Sequence, residues 1–128
     1  MPSSSNNNNN NNNNSSSPRD RLTVIYNAYK AASARRASDL MQATTAEEVR
    51  AITDNVDALE ASYLDAARRS LDATGPDIEA SYQAALSATQ KVEKAYAQGQ
   101  ALAARIQAVS GVVAAVGNLV TKAAGAAA

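Results

Sequence analysis

Cysteine, histidine, phenylalanine and tryptophan are all absent from the 128 residues. Without cysteine there is no disulfide framework and no thiolate chemistry, and neither redox compartment is favoured. Without histidine as well, the usual zinc ligands are gone, as is the side chain that titrates near neutral pH. A surplus of either charge is lacking too: 12 basic residues balance 12 acidic ones. A nucleic-acid binder normally carries a basic surplus on one face, so no nucleic-acid partner is expected.

Long apolar runs are also missing. The nearest lies between Arg105 and Lys122, sixteen residues interrupted by Gln107, Ser110, Gly111, Gly117 and Asn118. A spanning helix wants about 18 or more. The N-terminus has no charged n-region and no apolar h-region, so no secretory signal is expected. That leaves a cytoplasmic location or export by a non-classical route.

What is abundant is alanine, which supplies 30 of the 58 residues counted as hydrophobic. Burying alanine removes little area from water, and stabilisation scales with area at roughly 25 cal/mol per Å². Such a composition suits thin, closely approaching helices. The chain is long enough for one domain.

Residues 1–17 read as a disordered tail or linker. Nine asparagines, Asn6 to Asn14, lie between two serine triplets. Such a tract cannot offset its ordering entropy by burial. It is similar to the Ser/Asn spacers used to join fused proteins. Asn13 and Asn14 fit the N-x-S acceptor pattern, which matters only outside the cell.

Three amphipathic helices are expected over about 18–43, 46–73 and 76–121, within a helical domain spanning 18–122, followed by a frayed end at 123–128. Ser17, Pro18 and Asp20 make a capped start for the first. Thr45 with Glu48, or Thr44 with Glu47, fits the capping box of the second, whose seam is Val49, Ile52, Val56, Leu59, Tyr63, Ala66 and Ser70. Gly75 and Pro76 separate it from the third. The third seam is Ile78, Tyr82, Ala85, Thr89, Val92, Tyr96, Gly99, Ala103, Ile106, Ser110, Val113, Gly117 and Val120. Gly99 costs helix propensity, but its neighbours carry no turn signal, so one continuous helix is expected.

The fold class is therefore all-α, an antiparallel three-helix bundle or long helical hairpin. At 1.5 Å per residue the helices span about 39, 42 and 68 Å. Short connections make neighbours antiparallel, so the third helix should project past the others from Arg105 onward. The projecting part carries Ile106, Val109, Val112, Val113, Val116, Leu119 and Val120, and exposed apolar patches mark contacts. The same register brings Arg36 near Asp54 and Asp57, and Arg68 and Arg69 near Asp20.

Candidate chemistry is sparse. Glu47 and Glu48 are explained by capping, and Asp54 and Asp57 by a solvated face. Arg35-Arg36-Ala37-Ser38 and Arg68-Arg69-Ser70 fit a basophilic kinase pattern but sit inside expected helices. The five tyrosines are expected to pack their rings and reach the rim with their hydroxyls. Gly111 with Ala115, and Gly117 with Thr121, allow close helix approach in lipid or in water. No catalytic, cofactor-binding or metal-binding residue is expected.

Residues Pro76 to Ser87 (PDIEASYQAALS) are similar to the second-helix start of type III secretion needle subunits, on Pro76, Tyr82, Gln83, Leu86 and Ser87. Those subunits are small helical hairpins that polymerise through a C-terminal helix. They are shorter and have no equivalent of the first helix, and no residue role is carried over.

The function expected is non-enzymatic: a helical interaction or assembly protein that self-associates, or docks a helical partner, through the apolar end of its last helix. The alternative is a membrane-associated or secretion-apparatus-type subunit using that segment on lipid or in a filament.

Overall fold

Capping chemistry starts the first two helices where the sequence places them. A computed structural model describes residues 15–125 and contains α1 (Pro18–Gln42), α2 (Ala46–Ala67), α3 (Pro76–Ala97) and α4 (Leu102–Ala123). Ser17 Oγ accepts from the Asp20 amide at 3.0 Å, and Asp20 accepts back from the Ser17 amide at 2.9 Å. Thr45 and Glu48 form the matching box on α2. Each box satisfies amides that the first helical turn leaves free. At α3, Gly75 takes φ +132° and Pro76 supplies the N1 position.

The architecture is all-α, as the patterning implies, but with four helices instead of three. The expected continuous helix over 76–121 is broken at Gln98–Ala101. Gly99 takes φ +64°. Its amide donates to Tyr96 O at 3.1 Å, and the Gln100 amide donates to Ala95 O at 3.0 Å. Those two bonds are a Schellman ending, which needs a left-handed residue that glycine adopts without steric cost. Folding back lets α4 bury Val112, Val116, Leu119 and Ala123. At about 1.5–3 kcal/mol per large aliphatic side chain, that burial outweighs the helical turn lost at the break. The expected projection from Arg105 onward is therefore folded back against the other helices.

The second difference is at the end of α2, which stops at Ala67 and not near 73. The cause is topological. Arg21 lies against Glu79 and Arg35 against Glu93, so α1 and α3 run parallel. Ile52 and Asn55 line one cavity with Ile106, and Leu59 lines the next with Val112, so α2 and α4 also run parallel. Helix α2 packs on α1 and α4 but not on α3. The chain must therefore cross the end of the bundle diagonally to reach α3, and residues 68–75 make that crossing. Leu71, within it, turns inward and is only 2% exposed. Ser70, expected on the seam, is exposed.

The core is built mostly of aliphatic and alanine side chains. Val24, Ile25 and Ala28 of α1, Val56 and Leu59 of α2, Ala85 and Val92 of α3, and the inner face of α4 form one cluster. Alanines at 28, 32 and 85 hold the helices close. The tail expectation needs one amendment. Ser3 to Asn14 and the terminal 126–128 lie outside the described residues, but Ser16 is buried, with its amide 2.9 Å from Glu79 Oε1.

Candidate functional site

Two buried polar clusters sit at opposite ends of the bundle. At the end where α1 and α3 begin, Arg21 is 1% exposed. Its Nη1 donates to the carbonyl oxygens of Leu71 and Ala73 at 2.6 and 2.8 Å. Its Nε donates to Ser16 Oγ at 2.8 Å and its Nη2 to Glu79 Oε2 at 2.9 Å. The Ala73 amide donates in turn to Ala123 O at 3.0 Å. Burial raises the Glu79 pKa, but the Ser16 amide, Arg21 and the Ser16 hydroxyl outweigh it and hold the carboxyl below its ordinary value. Every donor on this guanidinium that the structure pairs serves the crossing segment or its neighbours, so the cluster is a fastening.

At the opposite end, Asp39 of α1 is buried between α3 and α4. It accepts the Tyr96 hydroxyl and lies 3.3 Å from Arg105 Nη1. Arg105 Nη2 donates to Gln42, while its Nε is buried without a partner. The guanidinium carbons of Arg35 and Arg105 lie 4.2 and 5.1 Å from the Tyr96 ring centre, within cation–π range. Burial, and then the hydrogen bond to Asp39, push the Tyr96 phenol well above its ordinary value. A phenol, a carboxylate and a guanidinium together are a set that acid–base chemistry uses. The adjoining cavity, lined by Asp39, Asn55, Tyr96 and Ile106 among others, has a volume of about 10 Å³. That is room for one water molecule and no substrate.

The outer surface offers two open grooves. One, of about 320 Å³, runs beside Pro18, Leu22 and Leu71. The other, of about 380 Å³, is lined by Tyr26, Tyr29, Lys30, Ser33 and Ala34. Tyr63 of α2 meets two tyrosines of α1. Its ring centre is 4.9 Å from that of Tyr26 and 6.0 Å from that of Tyr29, making a partly exposed aromatic cluster. Among the described residues no group of three His, Cys, Asp or Glu side chains is placed to hold a metal ion.

The seven residues expected to form an interaction surface are brought together, but inside the bundle. Val109, Val112, Val116, Leu119 and Val120 are buried in the core, and Ile106 and Val113 are half-buried. They face α1, α2 and α3 of the same chain because α4 folds back at Gly99. Helix α4 is also long and apolar enough, by length and composition, to cross a membrane, its 22 residues containing an 18-residue stretch of mean hydropathy 1.4. The expected charge register is replaced. Among the described residues the interhelical ion pairs join α1 to α3 or α4, and Arg69, just past the end of α2, pairs with Asp65 four residues earlier.

Arg21, Asp39 and Leu71 are the residues that sequence reasoning missed. Two carry a signal in hindsight. A cation in the first turns of a helix and an anion in its last turn both oppose the helix dipole. Arg21 and Asp39 occupy those unfavourable positions on α1 because their partners come from other helices.

Compared with known proteins, the chain matches no family model, no curated protein and no solved structure. The likeness of residues Pro76 to Ser87 to needle subunits stays confined to a helix start.

Proposed function

We propose that this chain is a non-enzymatic helical assembly module whose working element is α4. One observation carries the proposal: the most apolar helix of the chain, Leu102–Ala123, is joined to the rest by a single short turn with no buried residue. Absence of histidine and cysteine from the sequence, and the engagement of the buried charges in holding helices together, support a role without chemistry. The partner expected is a second copy or a helical protein that offers the surface α1, α2 and α3 offer to α4. Light scattering over a wide concentration range tests this. Mass rising with concentration, or saturable binding of a synthetic 102–123 peptide, is expected. A strict monomer at every concentration that also ignores the peptide removes the proposal.

A second reading follows from the hydropathy of α4: its insertion into lipid after leaving the bundle. Flotation with liposomes separates the two. Co-flotation of the folded chain favours lipid, and chain left at the bottom of the gradient with self-association intact favours protein.

A further inference from the structure

Helix α4 follows α3 through four residues, Gln98 to Ala101, all exposed. Their hold on the chain is slight. Two backbone hydrogen bonds close the turn, from Gly99 and Gln100. No side chain caps α4, whose N-cap is Ala101, whereas α1 and α2 both have full capping boxes. Gly99 is the one residue of the turn with positive φ.

The buried positions on either side keep one phase. In α3 they are Ser81, Ala85, Val92 and Ala95, and in α4 Val109, Val112, Val116, Leu119 and Ala123. Ala88 and Leu102, which are half-buried, extend each series. Steps of three and four alternate within 81–95 and again within 109–123, where Val120 is buried as well, and the intervals Ala95 to Leu102 and Leu102 to Val109 are seven residues each. A sequence of two unrelated helices has no reason to hold its apolar stripe in phase across the loop. With the left-handed supercoil that a heptad-spaced stripe imposes, an uninterrupted helix from Pro76 to Ala123, about 72 Å long, would keep both halves of the stripe on one side, whereas a straight helix would rotate them apart by about 20° per heptad.

We propose that the Gln98–Ala101 turn opens into helix, and that α4 then fills the place of α4 in a second copy of this chain, giving a reciprocal exchange dimer. This deepens the assembly role proposed above and presupposes it. Every contact α4 makes with α1, α2 and α3 re-forms between chains, including Arg105 with Asp39 and Asn55 with Ser110. Only the turn changes, losing two hydrogen bonds and gaining helical ones. The two long helices would run antiparallel and meet at their Gly99 residues, where a side-chain carbon would touch nothing within 4 Å in the closed form. Exchange of identical elements is a low-cost route to a dimer with an isologous interface.

Two variants move the equilibrium in opposite directions. Gly99→Ala penalises the left-handed turn and favours helix. It is expected to raise the dimer association constant at least about tenfold over the unsubstituted chain. Ala101→Pro suits the closed turn, because Ala101 has φ −57° and its amide takes no part in the turn's backbone hydrogen bonding. Proline there breaks a continuous helix, and a monomer is expected. Circular dichroism reports whether each variant is folded. A third measurement does not depend on either. Asn55 Nδ2 lies 3.3 Å from Ser110 Oγ, so an Asn55→Cys chain is mixed with a Ser110→Cys chain, refolded together, and treated with a short bismaleimide. A covalent heterodimer is expected from the dimer fraction. Dimers that form without that cross-link overturn the exchange and leave the assembly role standing. No association in the unsubstituted chain or in Gly99→Ala overturns both.

Discussion

Arg105 on α4 reaches across the bundle to Asp39 near the end of α1, with Nη1 3.3 Å from Oδ1 and both side chains about nine-tenths buried. The pair fixes the position of α4 directly after the α3–α4 turn. Removing one partner leaves the other charge in a poorly solvated site. Asp39→Ala is expected to lower stability by about 3 kcal/mol. Arg105→Met, which keeps the stem and removes the charge, should cost less when combined with Asp39→Ala than the two single changes added. Urea unfolding of the four chains in a double-mutant cycle measures this, and strict additivity would show that the pair contributes nothing.

Arg21→Ala strands the carbonyls of Leu71 and Ala73 and leaves Glu79 without its ion pair. A loss of about 3–5 kcal/mol is expected, with the crossing segment 68–75 becoming accessible to protease before the helices do. Cleavage starting within a helix instead would contradict the fastening role.

The same cluster sets a pH dependence. Glu79 has a folded pKa below its unfolded one, so its contribution is fully present above about pH 4.3 and is lost as pH falls through the lower folded value. Glu79→Gln should flatten the acid limb of the stability curve while leaving the neutral region parallel. An unchanged acid limb would show that Glu79 titrates alike in both states.

Tyr96 behaves in the opposite sense. Its folded pKa is raised, so its contribution holds below about pH 10 and declines as pH rises above that. Tyrosinate absorbance is expected to show one of the five tyrosines ionising only at the alkaline unfolding transition. Tyr96→Phe should remove that component.

Leu71→Ala tests the diagonal crossing. A cost of about 2–5 kcal/mol is expected for a side chain 2% exposed, against under about 0.5 kcal/mol for Leu64→Ala, whose side chain is 52% exposed. Equal costs would argue that residues 68–73 continue α2 along the surface.

The starts of α1, α2 and α3 are legible in Ser17-Pro18, Thr45-Glu48 and Gly75-Pro76, because caps are local chemistry. The seams of α2 and α3 are legible for the same reason: Ile52, Val56 and Leu59 repeat at helical spacing whatever they pack against. The fourth helix is not. Its break rests on a single glycine within an otherwise unbroken heptad pattern, and the energy that decides it comes from burying Val116 and Leu119 in the core, which forms only once all four helices are packed. The end of α2 is hidden likewise, since Leu71 leaves the helix to close a bundle whose connectivity only the whole chain determines. Both buried clusters were out of reach because each joins α1 to residues 50 or more positions away.

The Arg21 fastening and the Gly99 turn lie at opposite poles, about 33 Å apart along a 22-residue helix. The molecule is therefore mechanically polar. Whatever is joined ahead of Ser16 pulls on a pole pinned by a guanidinium, two carbonyls and a carboxylate, at the other end of the bundle from the Gly99 turn. Cargo carried on the N-terminal side would sit a full helix length from the turn proposed to open.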